Sequence, residues 1–143
     1  MLAAANTPTL IETMMDYSLD SMVSNSMKFV QKDDQSWFIL DETQTYGSPD
    51  PPQLGKTVNF VLGGVFIQDA FVDHMNFQCR LFGALVYNED FPYQQDVSAG
   101  GWSYSLPFDV PGVAPSTTYY ITVDAVDADG NQLFSIDTNF KFA

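Results

Sequence analysis

One cysteine, one histidine and five basic side chains are all that this 143-residue sequence offers from the groups that catalysis and phosphate recognition use most. The lone Cys79 can form no internal disulfide, and it reads as a small buried apolar residue. A thiol nucleophile needs a neighbouring base. With His74 as the only histidine, a multi-histidine metal centre is excluded. A Ser-His-Asp triad would also need a serine presented on a Gly-x-Ser-x-Gly elbow, and the sequence has none. His74 is therefore expected to be a solvated loop residue. Eighteen acidic residues against five basic ones give a net charge of −13. That balance argues against binding nucleic acid, whose phosphates need a basic surface. It argues equally against simple electrostatic attraction to anionic membranes. No apolar run reaches the length of a transmembrane helix, and the opening Met1 to Asn6 is too short for a full signal peptide. No Walker loop or Gly-x-Gly-x-x-Gly turn is present to hold a nucleotide. The sequence thus predicts no enzyme, no cofactor and no metal.

Two acidic features need separate treatment. Asp124, Asp127 and Asp129 precede Gly130, but an EF-hand register would place Ala125 and Ile136 at ligand positions that neither can fill. A hairpin tip at Asp129-Gly130 explains the pattern better. Asp41-Glu42 and Glu89-Asp90 read as solvated loop charges.

What the sequence does have is aromatic and sulfur-containing core material: 12 Phe, 7 Tyr, 2 Trp and 6 Met. Phe and Tyr favour pleated, half-buried strands. A polar break at Lys32-Asp33-Asp34-Gln35 divides the chain into an arm (residues 1–36) and a main domain (37–143). In the arm, Thr9 and Glu12 fit a capping box. Leu10, Ile11, Met14, Met15, Leu19 and Met22 then follow at helical spacing, which predicts a short amphipathic helix from about residue 10 to 23. Its apolar face must pack somewhere.

Beyond the break the period changes to two. Trp37 to Leu40 reads as a short strand, and Tyr46 to Pro52 as a proline-rich loop. Val58, Phe60 and Leu62 alternate with Thr57, Asn59 and Val61, and Gly63-Gly64 predicts a bulge or bend. Met75 to Tyr87 reads as one long strand kinked at Gly83. Trp102, Tyr104, Leu106 and Phe108 share a face, as do Tyr119, Ile121, Val123 and Ala125. The final strand runs through Phe134, Ile136, Thr138, Phe140 and Phe142. Together these predict an all-β, immunoglobulin-like antiparallel sandwich of about seven strands with a short N-terminal helical arm.

Several segments resemble the ML lipid-recognition family. Asp50-Pro51-Pro52-Gln53-Leu54-Gly55-Lys56-Thr57-Val58-Asn59-Phe60 is similar to its Pro-rich, Gly-Lys opening. The run ending in Gly83-Ala84-Leu85-Val86-Tyr87 resembles its long central strand. Trp102-Ser103-Tyr104-Ser105-Leu106-Pro107-Phe108-Asp109-Val110-Pro111 resembles its aromatic strand. Pro115 to Phe142 resembles its closing hairpin. The likeness spans roughly residues 46–142. It implies an immunoglobulin-like sandwich that holds a lipid or sterol-like molecule between its sheets, in a secreted or lumenal protein. Two departures stand out. Asp96-Val97 and Phe134-Ser135-Ile136 occupy places where the family's disulfide cysteines would fall, which leaves an intracellular compartment open. The arm has no counterpart in the family.

Two functional readings follow. In the first, the aromatics line an apolar pocket. Its walls would be Phe60, Phe66, Phe71, Phe77 and Phe91, together with Tyr93, Trp102, Tyr104, Phe108, Phe134 and Phe140. Its mouth would lie near Phe66–Phe71 and Phe91–Tyr93. In the second, the chain is a structural subunit of a larger assembly or filament, and its arm docks on a neighbouring protein.

Overall fold

The computed structural model describes residues 27–142. The helix expected at residues 10–23, and the docking arm built on it, lie outside the described residues.

Nine strands and one 3-10 turn make up the described chain. They are β1 (Val30–Gln31), β2 (Phe38–Leu40), the turn (Glu42–Gln44), β3 (Tyr46–Ser48), β4 (Thr57–Phe66) and β5 (Ala70–Leu81). β6 (Ala84–Val97), β7 (Gly100–Asp109), β8 (Tyr119–Val126) and β9 (Gln132–Phe140) follow. All pairings are antiparallel. One sheet has the order β1-β9-β8-β5-β6. In the other, β4 pairs with β7 along one edge, while β2 and β3 share its opposite edge. Inward-facing Phe60 of β4 meets Phe77 of β5 at 5.7 Å between ring centroids, so the two sheets form a sandwich.

Period-two burial accounts for most of these strands. Along β8, Tyr119, Ile121, Val123 and Ala125 are buried while their neighbours face outward. Along β9, Phe134, Ile136, Thr138 and Phe140 are buried. The β8–β9 turn is organised by Asp127, whose carboxylate accepts from the backbone amides of Asp129 and Asn131 and from the Asn131 side chain.

The structure corrects four local expectations. Met75 to Tyr87 is not one strand, because Phe82 and Gly83, at φ 52 and 78, turn the chain between β5 and β6. The Tyr46 segment pairs with β4 through Ser48, and pairing ends only where Pro49 removes an amide donor. His74 sits half-buried within β5, with Nδ1 2.9 Å from the Asp73 carboxylate. Gly63-Gly64 forms no bulge, since the β4–β7 register runs unbroken from Thr57↔Asp109 to Phe66↔Gly100. The glycines serve close approach instead. A Cβ on Gly63 would lie 2.7 Å from Gln44 Cβ, and one on Gly64 would strike the Phe38 ring and the Ile39 carbonyl oxygen. Gly64→Ala should therefore cost about 2–3 kcal/mol, as overpacked cores do. A urea titration showing less than about 0.5 kcal/mol would contradict that account.

The two long sides of the sandwich close differently. On one side the Gln31 side chain acts as a surrogate strand: its amide nitrogen donates to the Phe38 carbonyl (2.6 Å) and its oxygen accepts from the Leu40 amide (2.9 Å). Met27 and Phe29, on the arm side of the polar break, are buried in the same core. On the other side, β6 and β7 share no ladder. Two register shifts along the β5–β6 ladder and Pro92 within β6 make that edge unsuited to pairing. Side chains bridge it instead: Tyr93 accepts from Trp102 Nε1 at 3.1 Å, and Tyr87 stands edge-on to Phe108 at 5.3 Å.

Candidate functional site

Rings fill the middle of the sandwich. Phe38, Phe66 and Trp102 surround Phe134, and Phe108 stacks on Phe77 at 5.1 Å. Phe60, Phe66, Phe77 and Phe134 are essentially inaccessible. Trp102 and Tyr104 lie parallel, 5.8 Å apart, with Tyr93 edge-on to both. Tyr93, Trp102, Tyr104 and Phe91 are thus half-buried along the β6–β7 side. Phe71 is exposed at the end that carries the β4–β5 and β6–β7 connections.

An apolar cleft of about 260 Å³ opens at the end that carries the β5–β6 turn and the β7–β8 connection. One wall comes from Cys79, Leu81, Val86 and Tyr87 of β5 and β6. Phe108, Pro111, Val113, Ala114 and Pro115 form the facing wall, and Tyr119, Phe140 and Phe142 form the floor. Of the eleven aromatics expected to line a pocket, Phe108 and Phe140 reach this cleft. The other walls carry weaker sequence signals: a turn hidden inside an apolar run and a loop punctuated by Pro111 and Pro115.

Local chemistry fixes these walls. The Tyr119 hydroxyl donates to the Pro115 carbonyl at 2.8 Å and so ties the loop to the start of β8. Burial pushes the Tyr119 phenol and the Cys79 thiol up, which keeps both neutral. Tyr87 hydrogen bonds to Glu89 at the surface, and that bond pushes its pKa up to about 12. Tyr119 and Phe140 stack nearly parallel at 5.7 Å, and Phe142 packs on Tyr119 at 4.6 Å. The cleft therefore offers hydrocarbon, ring faces and one neutral thiol. It can desolvate an apolar group, and it presents no charged side chain to one.

The other depressions are polar or mixed. One at the far end is lined by Asp69, Ala70, Phe71, Asp96, Val97 and Ser98. Another, on the outer face of the five-stranded sheet, gathers Lys28, Lys32, Arg80 and Asp137 around Tyr120. Among the described residues, no three His, Cys, Asp or Glu side chains converge as metal ligands. No helix among them is long and apolar enough to cross a membrane.

The outer face of the five-stranded sheet is polar. Arg80, Gln78 and Asn76 hydrogen bond in series, and Asn76 donates to Asn88 and Asp90 across the strand. Asp124 is the poorly served member, because its Oδ1 is buried without a partner. Burial raises its pKa. Ser135 and Arg80 oppose the shift, and Asp137 and Asp33 reinforce it. A raised carboxylate pKa means that the fold prefers the protonated form. Its contribution to stability is present in acid and is lost as pH rises through the shifted value. Asp124→Asn should therefore leave stability in acid unchanged and raise it at neutral pH, by at most about 1 kcal/mol given the partial exposure. Urea midpoints at the two pH values check this, and an equal gain at both would refute it.

No protein-family model and no curated protein sequence matches the chain. Solved structures do. Chicken MD-1, in a crystal structure complexed with lipid IVa, shares 14% identity at a TM-score of 0.56, covering 81% of this chain and 88% of its own. A Niemann-Pick type C2 protein from the Japanese carpenter ant shares 11% at 0.53, covering 80% and 99%. The C-terminal domain of wzt shares 17% at 0.52, covering 65% and 64%. At such identities the likeness is one of fold. The fold is ML-like, as the sequence resemblance implied.

Proposed function

We propose that the chain binds the hydrocarbon part of a lipid-like molecule in the cleft between its sheets and catalyses no reaction. The observation that carries this reading is the cleft itself: an apolar space at the end that carries the β5–β6 turn and the β7–β8 connection, walled from both sheets. The ML-like fold supports it, since chicken MD-1 has been crystallised with lipid IVa.

Size narrows the ligand. Pockets that enclose a drug-sized molecule run to about 300–1,000 Å³. The cleft, at about 260 Å³, falls just below that range. Phe108, with Phe77 stacked on it, forms part of its wall. One acyl chain segment or the edge of a sterol-like ring fits, whereas several chains at once do not. A secreted or lumenal carrier belongs to the same proposal.

Cys79 supplies a built-in reporter, being the sequence's single thiol and part of the cleft wall. Titration with a fluorescent fatty-acyl probe should show saturable one-to-one binding that unlabelled fatty acid displaces. Bound fatty acid should also slow the labelling of Cys79 by a small apolar thiol reagent. Unsaturable binding together with unchanged labelling would remove the reading.

A further inference from the structure

We propose that the outer face of the five-stranded sheet carries an anion site that takes a small organic phosphomonoester. The site is separate from the cleft and independent of the lipid reading.

Strand geometry builds it. Successive side chains along a strand point to opposite faces. Cys79, Tyr119 and Phe140 face the cleft, so their neighbours Arg80, Tyr120 and Asn139 face outward. The ladders set Arg80 beside Tyr120 and Tyr120 beside Asn139. The register of Val30 with Asp137, carried back two residues, sets Lys28 beside Asn139. These four residues thus form one row across four strands. With Lys32 and Asp137 they line a depression of about 460 Å³. Small-molecule sites run to about 300–1,000 Å³, so the size is suitable.

Charge selects the ligand. Acidic residues outnumber basic ones 18 to 5 in the sequence, yet Lys28, Lys32 and Arg80 gather here. Asp137 is the one carboxylate in the lining. It is engaged by Lys32 at 3.5 Å and by the Thr122 hydroxyl at 2.8 Å. Among the described residues, neither Lys28 nor Arg80 is ion-paired. Three further acids stand nearby, and none lines the depression. Asp33 accepts from the Ser135 and Gln35 amides and the Gln31 side chain, each at 3.0 Å. Asp124 lies further along β8, where burial favours its neutral form. Glu42 shares a different depression with Lys28. The lining therefore keeps a surplus of two positive charges. A phosphomonoester at neutral pH carries a charge of about −1.5 to −2 and three acceptor oxygens. A carboxylate would cancel only half of the surplus.

Donors and floor agree with that choice. Arg80 donates from Nη1 to Gln78 at 2.9 Å, which orients the guanidinium and leaves the rest of its fork for a phosphate. The Lys28 ammonium and the Asn139 amide belong to the same row. Between Asn139 and Arg80 the Tyr120 side chain is 53% exposed, and Val30 is exposed beside it. This apolar floor favours an ester with a flat body over inorganic phosphate.

Calorimetric titration with phenyl phosphate tests the site. Binding should be saturable and one-to-one, with inorganic phosphate at least fivefold weaker and benzoate at least tenfold weaker. Lys28→Gln and Arg80→Gln should each lower phenyl phosphate affinity at least fivefold, whereas Lys56→Gln, outside the depression, should leave it unchanged. Asp137→Asn should raise the affinity at least twofold, a gain that damage to the fold cannot produce. The proposal is overturned if phenyl phosphate does not saturate, if benzoate matches it, or if Lys56→Gln weakens binding as much as Lys28→Gln does. Weaker binding by Asp137→Asn would overturn it as well, as would displacement of the fatty-acyl probe by phenyl phosphate, which would place the anion in the cleft. A chain that binds phenyl phosphate but not the fatty-acyl probe would defeat the cleft reading and leave the anion site standing.

Discussion

Ala114→Trp should weaken binding of the fatty-acyl probe at least tenfold, a loss of about 1.4 kcal/mol or more. Ala114 is a half-buried wall residue on the β7–β8 connection and faces the cleft. An indole placed there occupies the volume that an acyl chain would take. It displaces no packed neighbour, so stability should stay within about 0.5 kcal/mol of the wild type. A chain-length series adds a second measurement. Each further buried methylene contributes about 0.8 kcal/mol, or roughly fourfold in affinity. The gain should stop where the chain meets Phe108, which stacks on Phe77 and stands edge-on to Tyr87 at 5.3 Å. Phe108→Ala should move that plateau to longer chains. Full-strength probe binding by Ala114→Trp would place the ligand elsewhere on the molecule.

The later strands were the legible part of the sequence, and the reason is geometric. β8 buries one face only, and β9 does the same from Phe134 onward, past a register shift at Leu133, so their side chains alternate and Asp129-Gly130 marks the turn between them. β6 hides its nature. Val86 is an extra residue in one register shift, between Cys79↔Tyr87 and Arg80↔Leu85, and a second shift falls between Val72 and His74. Each shift resets the period, and most of the strand is exposed. The turn at Phe82-Gly83 lies inside the apolar run from Leu81 to Tyr87 and lacks the usual Asn or Asp. The cleft was hidden for another reason. Leu81, Val113 and Phe142 stand far apart in sequence and meet only where strands end. Local pattern marks Phe60, Phe66, Phe77 and Phe134 as inward-facing. Whether inward rings enclose a space or fill it depends on the distance between the sheets, which no single strand encodes.

Phe134→Ala should be among the most damaging single changes to the fold, costing about 3–5 kcal/mol. Phe134, on β9, is the five-stranded sheet's member of a ring cluster. Its centroid lies 4.6 Å from Phe38, 5.8 Å from Trp102 and 6.3 Å from Phe66. Those partners stand on or beside β2, β7 and β4, and Phe38 also touches Phe66 and Trp102 at 4.9 and 5.6 Å. One ring thus secures three strands of the facing sheet. Relaxation into the gap is obstructed, because Phe38 packs where Gly64 has no Cβ and cannot shift without disturbing the β2–β4 pairing. Against a total stability of about 5–15 kcal/mol for such a domain, the thermal midpoint should fall on the order of 15 °C. Phe134→Leu should recover about half of the loss by refilling part of the volume. Phe134 does not line the cleft, so the alanine variant, held well below its midpoint, should bind the probe as the wild type does. Ala114→Trp should do the reverse, losing binding and keeping stability. Equal effects of the two changes on both measurements would mean that the packed centre and the cleft are one continuous space, and the division of the interior drawn from the ring distances would have to be abandoned.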